Sequence, residues 1–78
     1  MRPLSEIARE ITKDFMEKGN RIPINTLPYL NSMMYLKGIN DMFIHDSGRS
    51  IVTYFLANAS SWRGEKAREI KKELNKML

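Results

Sequence analysis

The stretch from Asp46 to Gly64, DSGRSIVTYFLANASSWRG, constrains this chain more than any other, because only there is a helix apolar on nearly every side. Ile51, Val52, Phe55, Leu56 and Ala59 fall at the i, i+1, i+4, i+5, i+8 spacing of one wide helical face, and Tyr54 and Ala57 widen it further. Such a helix belongs in the middle of a fold. The expected architecture is therefore all-α: one domain spanning residues 1–78, a compact bundle of about four helices around a central apolar helix at residues 47–59.

The flanking segments supply the other helices. Pro3 suits a first helical turn, and Leu4, Ile7, Ala8, Ile11 and Phe15 mark one face of a helix from about Pro3 to Lys18, closed by Gly19-Asn20. RIPIN at 21–25 reads as an extended connector. Thr26 with Pro28 opens a second helix expected to reach Lys37 before Gly38. Leu30, Met33, Met34 and Leu36 give it an apolar surface in which the methionines act as adaptable filler. INDMFIH at 39–45 is compatible with a helical turn or an extended connection. Asp46 or Ser47 caps the central helix, and Ser60 or Ser61 is expected to cap a last one with a narrow stripe of Ala67, Ile70, Leu74 and Met77. AREITKDF at 8–15 echoes AREIKKEL at 67–74; helical words of this length recur by chance.

At 78 residues one core only just offsets the entropy of folding, so the chain is expected as a monomer or a homodimer, with a partner as a further source of stability. Without Cys there is no disulfide, no thiolate zinc site and no thiol nucleophile. No run approaches the roughly 20 apolar residues of a membrane span, and the first residues lack an apolar signal core. The net charge of +4 is unevenly placed. Residues 1–46 hold six basic and six acidic side chains, whereas residues 47–78 hold seven basic and three acidic ones. Attraction to an anionic partner therefore belongs to the last helix, where Arg68, Lys72 and Lys76 form a row beside Glu65, Glu69 and Glu73.

Few residues look chemical. His45 beside Asp46, with Asp41 one turn earlier, is the one acid-base pair, and without a second His it reads as an exposed ring beside a cap. The serines lack a base and read as caps. Neither an enzyme, a metal site nor a cofactor is expected. Trp62 either closes the core against Phe55 or, if exposed with Arg63, forms the residue pair typical of an interface hot spot; Tyr29, Tyr35 and Tyr54 share that ambiguity. A helix-turn-helix is disfavoured, because the link after Gly38 is too long and its second helix is apolar where bases would be read.

PLSEIAREI (3–11), PYL (28–30), IND (39–41), DSGRSIV with YFLANA (46–59) and WRGEKAREIKKEL (62–74) together resemble a group of small helical proteins encoded by bacteriophages and prophages. The likeness spans most of the chain, and the group has no established activity. It departs at Asp14-Phe15 and RIPIN, where similar sequences carry a Trp and a small-residue loop. The resemblance implies phage origin and action in the cytoplasm of a bacterial host. It favours a non-catalytic binding protein acting on a host or phage protein, an anti-CRISPR-like inhibitor of a host defence nuclease being one form, with Trp62, Arg63, Tyr29 and Tyr35 as contact residues. The alternative is a small DNA- or RNA-binding accessory protein that places Arg63, Arg68, Lys71, Lys72 and Lys76 on phosphates.

Overall fold

The computed structural model describes residues 2–78. Helix α1 (Leu4–Glu17), α2 (Leu27–Met33), α3 (Gly48–Asn58) and α4 (Glu65–Met77) pack together, with a small antiparallel hairpin, β1 (Met42–Phe43) and β2 (Asp46–Ser47), between α2 and α3. The core joins Leu4, Ile7, Ile11 and Phe15 of α1 to Leu30 and Met33 of α2, Ile51, Val52 and Phe55 of α3, and Ile70 and Leu74 of α4. Its radius of gyration, 11.4 Å, matches the roughly 11.5 Å of a compact chain this long. The expected all-α bundle is therefore present. α3 buries Ile51, Val52 and Phe55, while Tyr54 and Ala57 open one of its sides to solvent.

Local differences from the sequence reading have physical causes. α2 stops at Met33, well before Lys37, because the chain beyond it serves α1. The amides of Leu4 and Ser5, which have no partner inside their own helix, donate to the carbonyls of Lys37 and Leu36, each at 2.9 Å. The turn that follows is closed by Asp41, whose Oδ2 accepts from the Lys37 amide at 2.8 Å. Residues 39–45 resolve into a turn and the first half of the hairpin. Of the two candidate caps for α3, Ser47 is used: its hydroxyl accepts from the Ser50 amide at 3.1 Å. α4 begins at Glu65 with Gly64 in the cap position, not at the serines, since Trp62 is drawn into the core before the helix starts.

α3 also depends on one close backbone approach. The Gly48 amide donates to the Asp41 carbonyl at 2.7 Å and the Arg49 amide to that of Ile39 at 2.9 Å. At that separation no side chain fits at position 48.

Candidate functional site

Trp62 is the hub of the structure. Its ring lies 5.7 Å from that of Phe15, nearly parallel, and 6.1 Å from that of Phe55, edge-on, with 2% of its surface exposed. The indole N–H donates to Asp14 Oδ2 at 2.8 Å, and the same oxygen pairs with Lys18 Nζ at 2.9 Å. Lys18 continues to the Arg63 carbonyl, and Lys71 Nζ donates to the carbonyls of Ala59 and Trp62 while lying over the indole. The loop between α3 and α4 is thus fastened from α1 on one side and from α4 on the other.

Of the two readings of Trp62, the structure has the one that closes the core against Phe55, so Trp62 is not an exposed contact residue beside Arg63. The indole is interior, and Asp14-Phe15, an apparent departure in the sequence, is what receives it. Only Arg63 of the pair meets solvent.

Burial alone would push the Asp14 carboxyl up, but the hydrogen bonds from Lys18 and Trp62 and the charges of Lys18 and Lys66 outweigh it and hold it below its ordinary 3.8. Glu73 is held low by the hydrogen bond from Arg2, against its own burial. A carboxyl whose pKa is depressed by folding adds stability above its unfolded pKa and loses it as pH falls through the folded one. The thermal midpoint should stay level above about pH 5 and fall below about pH 4. Asp14→Asn should lower the neutral plateau and flatten part of that acid limb, as circular dichroism melts across pH will show.

The tyrosines separate. Tyr29 is half-buried and stacks on Tyr54 across α2 and α3, ring centres 5.8 Å apart. Tyr35, 77% exposed, stacks on Phe43 of the hairpin at 5.5 Å. Tyr29 and Tyr35 therefore belong to two different stacks and do not form one patch with Arg63.

The hairpin carries the feature that the sequence reading missed. Phe43 faces Asp46 across a turn made of Ile44 and His45, and Ile44 has φ +59°. Such a position is ordinarily filled by Gly or Asn, and a β-branched side chain there costs about 1–2 kcal/mol. Nothing in the core offsets this, because Ile44 is 77% exposed. With exposed Met42 and the Tyr35–Phe43 stack, it makes an apolar outcrop at one corner of the molecule. Two apolar residues around a loop signal the hairpin weakly; the missing Gly or Asn hid it.

The cations are sorted by α4. Toward α1, Glu73 accepts from Arg2 Nε at 3.0 Å, Lys66 reaches Glu10 at 3.2 Å, and Arg2 also pairs with Glu10. That seam is internally neutral. On the other flank Arg63, Arg68 and Lys71 share one concavity with Trp62, Gly64 and Ala67, and no carboxylate lines it. Lys72 and Lys76 are exposed further along the helix.

His45 is exposed in the hairpin turn, and Asp41 is occupied with the backbone amides of Lys37 and Gly38. Among the described residues no three His, Cys, Asp or Glu side chains are grouped to hold a metal ion, and no helix is long and apolar enough to cross a membrane. No family model, no curated protein and no solved structure matches the chain.

Proposed function

We propose that this is a non-catalytic binding protein of phage type that engages a protein of the bacterial host or of the phage, a host defence nuclease being one target of that class. The observation that supports this reading is Ile44. A chain that holds a β-branched residue in a costly backbone conformation, with its side chain in solvent, spends stability on presenting that side chain. Tyr35, Met42 and Phe43 surround it with the aromatic and thioether groups that interface centres favour. The contact set that follows is Ile44, Met42 and Tyr35, with Tyr29 and Arg63 on other faces.

The test is one substitution read twice. Ile44→Gly removes the strain and little buried surface, so it should stabilise the fold by up to about 1 kcal/mol in chemical denaturation. The same variant should lose the proteins that the parent chain retains from lysate of phage-infected bacteria. If the parent retains nothing, or Ile44→Gly and Tyr35→Ser retain the same proteins as the parent, the outcrop is not a binding surface.

A further inference from the structure

A second surface, independent of the apolar outcrop, carries its own inference. The outer flank of α4 concentrates positive charge in a way that its packing does not require. Arg63 and Arg68 form no salt bridge among the described residues, and neither does Lys71. They line the same concavity of about 460 Å³. Lys71 is held in place by two carbonyls, which leaves one of its three N–H groups without a protein acceptor. Burial, and after it the nearby Arg63, lower its pKa from the usual lysine value. No carboxylate of α4 lines the concavity. Glu73 is turned to Arg2 on the opposite flank; Glu65 and Glu69 stand exposed at i, i+3 spacing from Arg68 and Lys72 and form no salt bridge with either among the described residues.

We infer that the flank formed by Arg63, Arg68, Lys71 and Lys72 binds the phosphate backbone of a nucleic-acid duplex, with one phosphate seated in the concavity beside Trp62 and the next contacted by Lys72. The chemistry selects that class. Arg guanidinium groups form paired hydrogen bonds with phosphate oxygens, and three or four cations on one flank match a polyanion of regular spacing. A single-stranded ligand would call for exposed aromatic rings on which bases stack, and the one ring here, Trp62, is buried. Contacts of this kind go to phosphate oxygens and carry no sequence information, so the binding is expected to be indifferent to sequence.

Fluorescence polarisation of a labelled, mixed-sequence DNA duplex, titrated with the full chain at several salt concentrations, tests this. The two phosphate contacts give a log-log salt slope of about −1.8. Arg63→Gln with Arg68→Gln should make that slope shallower by about 1 and weaken low-salt binding at least tenfold; Lys72→Gln, remote from the loop, should also make it shallower by about 1. Arg9→Gln with Lys13→Gln, on α1, removes as much charge and should leave the slope unchanged. Absence of binding at low salt would overturn the proposal and leave an acidic protein as the complement of this flank. Equal effects of the α1 and α4 substitutions would overturn it too, by showing attraction to the whole molecule and not to a site.

Discussion

Trp62→Ala should lower stability by about 3–5 kcal/mol, the largest effect of any single side-chain truncation in this chain. A domain of this size has only about 4–12 kcal/mol in total, so the variant should be substantially unfolded at 37 °C or melt at least about 15 °C lower. The cost is compounded because the indole performs three tasks. It fills the space between Phe15 and Phe55, it supplies a hydrogen bond to Asp14, and it gives Lys71 a ring to lie on. Trp62→Phe keeps most of the packing and drops the N–H, leaving Asp14 with Lys18 as its remaining side-chain donor. Its expected cost is about 1–3 kcal/mol. Far-UV circular dichroism with urea follows both variants without using the indole as the probe. Equal stability of Trp62→Ala and the parent would mean that the indole is not interior in solution.

Gly48→Ala is expected to destabilise by about 2–3 kcal/mol, against the sign that helix propensity assigns. Within a helix, alanine is favoured over glycine by about 1 kcal/mol. Here an added Cβ would lie 2.5 Å from the Gly38 carbonyl oxygen and 2.8 Å from Ile39 Cα, backbone atoms with no freedom to turn aside. Relief requires α3 to withdraw from the 38–41 turn, breaking the bonds from Gly48 to Asp41 and from Arg49 to Ile39. Gly38→Ala, where a Cβ meets nothing within 4 Å, is the matched control and should change stability by less than about 0.5 kcal/mol. The fluorescence of Trp62 during denaturation reports both. Because the hairpin leads directly into Gly48, Gly48→Ala should also displace the Ile44 outcrop.

The helices were legible because they announce themselves by periodicity: Leu4, Ile7, Ile11 and Phe15 are buried as their spacing requires, and so are Ala67, Ile70, Leu74 and Met77. Features that rest on partners distant in sequence were not. The early end of α2 depends on the amides of Leu4 and Ser5, far back in the sequence, and the hairpin lacks the Gly or Asn that would have marked its turn. Trp62 had two readings because a large aromatic next to Arg suits both a core and an interface. What decides it is Asp14, a carboxylate on the inner side of α1 that receives the indole N–H and the Lys18 ammonium on one oxygen. Charge was half legible. The excess on the last helix could be counted, but its division into a neutral seam and an unpaired flank required Arg2 and Glu10 to be placed in space.

The bonds from Leu4 and Ser5 to Lys37 and Leu36 have a dynamic consequence. In most helices the first turn frays alone, opening and closing without disturbing the remainder. In α1 that turn cannot open unless the segment after α2 lets go as well, and that segment holds the turn on which α3 rests. Two helix ends that would ordinarily be the loosest parts of the chain are thereby merged into one cooperative unit, so this corner of the molecule opens with its neighbours or stays shut.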